Sequence, residues 1–191
     1  MCEPRKDIMH TALLLIDIQN DYFPGGKMVL EGSPEASRKA GRVLAFFREK
    51  GWSSIHVQHF SANPGEASFF IPGTEGVKIH ADVQPGDDEV VVRKHYPNAF
   101  RNTSLLEQLK HKNIGHVVIA GMMTHMCVDA TVRAAFDHGF RCTVLHDACA
   151  TRALSFGSEI VAARQVHAAF LSALGAVYAK ITATDDFLSA F

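Results

Sequence analysis

The sequence predicts an α/β domain, a parallel sheet with helices on both faces, and three observations predict it. Short apolar runs alternate with segments of helical spacing along the whole chain. The runs are apolar almost throughout rather than alternating, as strands are when both faces of a sheet are covered. Finally, 191 residues without an internal repeat, a low-complexity tract or a linker suit one domain over 1–191 with a sizeable core.

Residues 1–10 read as a charged N-terminal extension, and residues 12–18 as the first strand, with Asp17 near its carboxyl end. Pro24, Gly25 and Gly26 make 20–26 a turn; Pro34 and Glu35 then open a helix that runs to about Lys50 and is closed by Gly51. Residues 54–60 form the second strand. The next segment, 61–88, carries Pro64, Gly65, Pro72, Gly73, Gly76, Pro85 and Gly86 and is longer than an ordinary connection. Loops of that length serve as lids or binding loops, and Phe69, Phe70 and Ile71 read as exposed, suiting an active-site loop or a subunit contact.

Residues 89–93 form the third strand, with Lys94 just past its end. After the turn Tyr96-Pro97-Asn98, residues 103–112 place Leu105, Leu106 and Leu109 on one helical face. Residues 117–120 are the fourth strand, Gly121 breaks it, and 129–136 carry Val132, Ala135 and Phe136 at helical spacing. Residues 141–146, 158–174 and 176–181 then read as strand, helix and sixth strand.

The formal charge of −1 offers no attraction for nucleic acid or an anionic membrane, which leaves small molecules as the expected partners. The four cysteines, Cys2, Cys127, Cys142 and Cys149, form no C-x-x-C pair. That usage suits a reducing cytoplasm, and neither a signal peptide nor a membrane span is read anywhere.

Ligands of parallel sheets bind at the carboxyl ends of the strands, near the point where strand order reverses. Asp17, Lys94 and Cys127 all fall at such ends. Singly, Asp17 reads as a cap, Lys94 as a solvated charge and Cys127 as a buried thiol. Together they supply an acid/base, a cation and a nucleophile. Cys127 also lies near a helix start, where unpaired N–H groups and the helix dipole favour thiolate.

Three ordered motifs carry a resemblance. Leu13-Leu14-Leu15-Ile16-Asp17-Ile18-Gln19-Asn20-Asp21-Tyr22-Phe23, then Val91-Val92-Arg93-Lys94-His95-Tyr96-Pro97-Asn98-Ala99-Phe100, then Ala120-Gly121-Met122-Met123-Thr124-His125-Met126-Cys127-Val128-Asp129-Ala130-Thr131 resemble the isochorismatase-like cysteine hydrolases, as do Gly73-Thr74 with Gly76 and residues 147–150. The resemblance implies a six-stranded parallel sheet of order 3-2-1-4-5-6 in a three-layer α/β/α domain, assembled as a homodimer or homotetramer. It implies Asp17 as general acid/base, Lys94 as supporting cation and Cys127 as nucleophile. It also implies a cis Met122–Met123 peptide, with the Met123 and Cys127 amides binding an oxyanion. The implied reaction is C–N hydrolysis of a small amide, carbamoyl or imide-like compound with no cofactor. Lys94 is expected to lower the pKa of both Asp17 and Cys127.

Two other activities compete: isochorismatase-type vinyl-ether hydrolysis, and a redox-sensing thiol in which Cys142 or Cys149 resolves oxidised Cys127. Nicotinamidases of the same superfamily bind a metal through an Asp-x-His pair, whereas this chain has His56-Val57-Gln58-His59. Strand alternation sends His56 and His59 to opposite faces, so no metal site is expected. Gln19, Phe23, His59, Phe60 and Phe100 are candidates for the substrate pocket, and His125 reads as structural or pocket-lining.

Overall fold

The computed structural model describes residues 10–191. In chain order the elements are β1 (His10–Ile16), α1 (Ser33–Glu49), β2 (Ser53–His59), β3 (Val90–Lys94), α2 (Leu105–His111), β4 (Ile114–Met122), α3 (Asp129–Asp137) and β5 (Arg141–Ala150). They continue with β6 (Leu154–Phe156), β7 (Glu159–Val161), α4 (Ala163–Val177), β8 (Lys180–Thr182) and α5 (Thr184–Leu188). Six strands make one parallel sheet in the order β3-β2-β1-β4-β5-β8, with β6 and β7 forming a separate antiparallel hairpin.

The apolar strands split their side chains between two cores. From β1, Ala12, Leu14 and Ile16 enter the layer shared with Leu105 and Leu109 of α2, Val132 and Ala135 of α3, and Leu171 and Leu174 of α4. Leu13 and Leu15 enter the other, with Ala40, Val43, Leu44 and Phe47 of α1 and Phe187 of α5. Both faces of β1 are covered, which is why Ala12, Leu13, Leu14, Leu15 and Ile16 follow one another without a polar residue. The chain winds outward from β1 to β3 and then returns to lay β4 on the other flank of β1. Strand order therefore reverses between β1 and β4, and ligands of such sheets bind at the carboxyl ends beside that point.

Four sequence expectations require correction. The helix expected over 158–174 begins only at Ala163, because the Gly157-Ser158 turn folds Leu154–Phe156 back on Glu159–Val161 as a hairpin. α4 then runs on to Val177, which displaces the last strand to Lys180–Thr182. β5 extends to Ala150 across Asp147, whose carboxylate accepts from the Thr184 N–H and hydroxyl at 2.8 and 2.7 Å and so tethers α5. Phe70 is buried, not exposed: it packs on Tyr22, ring centroids 4.7 Å apart, within the α1-side core. Among the described residues, no helix is long and apolar enough to cross a membrane.

Candidate active site

Asp17 follows the last residue of β1 in a left-handed conformation, φ 51°, which aspartate tolerates better than most residues. Beside it, Gly121 of β4 has φ 149°, and a Cβ there would stand 2.2 Å from the Ile16 carbonyl oxygen. Only glycine lets the two strands approach so closely at the end that carries Asp17. Lys94 is the last residue of β3, paired in register with His59, the last of β2. Cys127 lies in a single π-helical turn, Thr124–Val128, that leads into α3, and the Met122–Met123 peptide before that turn is cis.

These residues meet. Lys94 Nζ lies 2.6 Å from Asp17 Oδ2 and 3.2 Å from Cys127 Sγ. It also lies 3.0 Å from His59 Nδ1 and 3.1 Å from the Tyr96 carbonyl oxygen. Asp17 and Lys94 are 0% exposed, Cys127 2% and His59 17%. Asp17 Oδ1 has no hydrogen-bond partner among the described residues, so one carboxylate oxygen is free to take a proton.

Electrostatics follow from burial and neighbours. Burial pushes the Asp17 carboxyl up, but its surroundings, the Lys94 ammonium first among them, outweigh burial and leave the pKa below its ordinary value. Burial pulls Lys94 down, and the Asp17 and Cys127 charges more than restore it. Cys127 departs from expectation. Burial, then the Asp17 charge, raise its pKa far above the ordinary thiol value, and Lys94 recovers only part of that. The reason is charge count: carboxylate, ammonium and thiol sum to zero, whereas adding a thiolate would leave a net buried anion. The cluster therefore favours the thiol form of Cys127, with the Asp17 carboxylate beside it.

Asp17, His59 and Cys127 place one potential ligand atom each within 4.8 Å of one another, a spacing that could hold a metal. The Lys94 ammonium already stands among them, within 3.2 Å of all three, so the cation this trio holds is the lysine's own. His56 points away into a separate contact, 2.9 Å from Glu89 Oε2.

The pocket candidates divide. Gln19 is buried and its amide is wholly engaged: Nε2 donates to the His59 and Val77 carbonyls at 2.9 and 2.7 Å, and Oε1 accepts from the His59 N–H at 2.7 Å. It fixes the end of β2 instead of offering an amide to a ligand. Phe100 packs on His138 and Phe140, ring centroids 5.0 and 6.3 Å away, at the end of α3 remote from Cys127. Phe60 lies under Arg93, and Phe23 stacks on His80 at 3.7 Å. Phe23 lines a cavity of about 490 Å³ with Asn20, Asp21, Lys27, Phe69 and His80, a cavity to which none of Asp17, Lys94 and Cys127 contributes. His125 is structural: its Nδ1 contacts the Thr151 hydroxyl at 2.5 Å and its ring meets Phe170 edge-on.

Sequence reasoning missed the closure of the site. Asp21 Oδ2 accepts from the Phe70 N–H at 2.7 Å and Oδ1 from the Lys27 N–H at 3.2 Å, tying 61–88 to the loop after β1. A Cβ on Gly76 would stand 2.1 Å from Asp21 Oδ1, so the tie needs glycine there. Phe70 thereby lies against His59, centroids 5.6 Å apart, and against Tyr22. Thr131, which closes the third motif without a role there, also acts on the site: its hydroxyl accepts from the Ala99 N–H at 3.1 Å and anchors the turn that carries the Tyr96 carbonyl. Gly76 and Asp21 were the readable signals, a glycine and a carboxylate in loops expected to be polar and loose.

Comparison with known proteins agrees with this architecture. The isochorismatase domain profile matches residues 11–186. An uncharacterized isochorismatase family protein of Bacillus subtilis, YddQ, is 49% identical over 180 residues, covering 94% of this chain and 99% of the relative. The solved structure of an isochorismatase hydrolase from Oleispira antarctica superposes with a TM-score of 0.91 at 46% identity, covering 97% of this chain and all of the other. The maleamate amidohydrolase of Pseudomonas putida is 33% identical over 155 residues, 74% of this chain and 72% of that enzyme. By this match, by its sheet order and by its strand-end residues, the chain belongs to the isochorismatase family of hydrolases.

Proposed function

We propose that this hydrolase cleaves the C–N bond of a small amide, carbamoyl or imide-like substrate through a thioester on Cys127. The observation that carries the reading is the sealed contact of Lys94 Nζ with both Asp17 Oδ2, at 2.6 Å, and Cys127 Sγ, at 3.2 Å. The relative that hydrolyses an amide by its name, maleamate amidohydrolase, supports the same bond class.

Asp17 takes the Cys127 proton as the thiolate attacks the carbonyl, so negative charge passes to the carbonyl oxygen instead of resting on sulfur. The raised thiol pKa makes this coupling necessary, because free thiolate is scarce before substrate arrives. In the reading the Met123 and Cys127 backbone amides receive the oxyanion. Protonated Asp17 then gives its proton to the departing nitrogen, and the C–N bond breaks. A water deprotonated by Asp17 attacks the thioester, releasing the acid and restoring the Cys127 thiol. Lys94 keeps the buried cluster neutral or cationic throughout.

The test is a panel of small amides, carbamoyl compounds and imides, assayed for released ammonia or amine with wild type and Cys127→Ala. Mass spectrometry of acid-quenched wild type should show an acyl adduct on Cys127. Amine release that persists in the Cys127→Ala protein would sink the thioester mechanism.

A further inference from the structure

Lys94 Nζ has three protons to donate and four acceptors in reach: Asp17 Oδ2 at 2.6 Å, His59 Nδ1 at 3.0 Å, the Tyr96 carbonyl at 3.1 Å and Cys127 Sγ at 3.2 Å. The Tyr96 carbonyl is a fixed acceptor. Asp17 and Cys127 exchange one proton in the proposed mechanism, so the negative charge stands on one or the other, and a single ammonium proton can follow it across. The remaining proton has one acceptor left, His59 Nδ1.

We propose that His59 is a positioning residue for Lys94: a neutral imidazole, protonated on Nε2 alone, that together with the Tyr96 carbonyl fixes the ammonium while its third proton swings between Asp17 and Cys127. The inference rests on the reading of Asp17 and Cys127 as the proton-exchanging pair. The ring is held for this task. Three hydrogen bonds from the buried Gln19 amide lock the backbone where His59 begins its side chain, two of them to His59 itself and the third to Val77. Phe70 packs on the ring from the 61–88 segment.

A histidine that served only to fill space would tolerate either tautomer and either charge. This one would not. The titratable groups facing it are Asp17 from the end of β1 at 3.5 Å, Lys94 from β3, and Cys127 from the π turn at 3.7 Å, while the segment above contributes only the non-titrating Phe70. A proton on Nδ1 would turn the acceptor into a donor facing the ammonium, and protons on both nitrogens would also set a second cation against Lys94.

The experiment reads the tautomer directly, by ring nitrogen NMR of the full chain labelled with ¹⁵N-histidine, the His59 signals being assigned by their loss in His59→Asn. Nδ1 unprotonated with Nε2–H at neutral pH is expected; Nδ1–H, or protons on both nitrogens, overturns the proposal. This readout needs no substrate, so it stands even if the amide panel finds no turnover and the functional reading fails. With a substrate in hand, His59→Asn places an amide oxygen near the Nδ1 position, whereas His59→Leu offers no acceptor. His59→Leu should lower kcat about 10-fold or more with KM little changed, and His59→Asn should stay within about threefold of wild type. Equal loss in two natively folded variants would show that only the bulk of the ring matters, and would overturn the proposal.

Discussion

Lys94 Nζ and Asp17 Oδ2 lie 2.6 Å apart, and neither side chain reaches solvent. A pair so placed gives each partner its ionised form, and loss of either strands the other: breaking a buried ion pair typically costs about 3–5 kcal/mol. Two predictions separate chemistry from that stability effect.

Asp17→Asn keeps the shape, and asparagine tolerates the left-handed backbone at this position. Turnover should fall on the order of 10²–10⁴-fold with the loss of the acid/base. Because the Asp17 charge is one of the causes that raise Cys127, and Lys94 remains, the thiol titration should move down. Single-turnover kinetics, ultraviolet thiolate absorbance and circular dichroism check the three points. Near-normal turnover in a folded variant would remove Asp17 from the mechanism.

Lys94→Gln should do the reverse to the thiol. Lys94 is what offsets the burial of both neighbours, so the Asp17 and Cys127 pKa values should both rise without it. Thiolate absorbance followed against pH, with Cys127→Ala as the blank, measures this. A titration unchanged from wild type would deny the charge partnership.

Asp21→Asn should loosen the segment over the site without touching its charges. The Phe70 N–H would lose a carboxylate acceptor, a hydrogen bond to a charged group being worth about 1.5–3 kcal/mol. Amide exchange in 68–76 should quicken and Cys127 alkylation should accelerate, with the thiol titration unmoved. Exchange confined to wild-type rates would mean that Asp21 does not hold this segment down.

Away from the site, the Glu89 carboxylate accepts from Nε and Nη2 of Arg48 at 2.9 and 2.7 Å. Its carboxyl is held at about 2, chiefly by Arg48 and against its burial. A depressed carboxylate contributes stability that is complete above its unfolded value, 4.5 here, and lost as pH falls towards 2. Glu89→Gln should therefore melt lower than wild type near neutrality, and the two melting curves should converge as pH falls through that window. A difference that stays constant across it would mean that the cost is packing, not charge.

The sheet was legible because its strands are buried on both sides, and a run such as residues 12–18 admits few other readings. Asp17, Lys94 and Cys127 were legible as strand-end residues, since topology alone brings those ends to one edge. What failed to show was whatever depended on contacts between distant segments. Phe70 looks exposed in a loop of glycines and prolines, and only the Asp21 carboxylate, 49 positions earlier, turns it inward. The Cys127 helix start suggested a thiolate, yet desolvation and a carboxylate across the sheet decide its proton, and neither is visible in local sequence. The β6–β7 hairpin was hidden because Phe156 and Ile160 are 82% and 77% exposed, so no burial pattern marks them as strand residues.

The strand order also dictates the reach that position 94 must have. β3 and β1 are not neighbours; β2 lies between them, and two strand spacings amount to roughly 9.5 Å. The cation must therefore arch over the end of β2, passing beside His59, before it can touch Asp17. Four methylenes and the ammonium cover most of that span and the Asp17 side chain closes it at 2.6 Å, whereas a short cationic side chain would end above β2 with its charge stranded. Stem length is thus a requirement separate from charge: this edge of the sheet can host the chemistry only where its outer strand ends in a residue long enough to bridge to the centre.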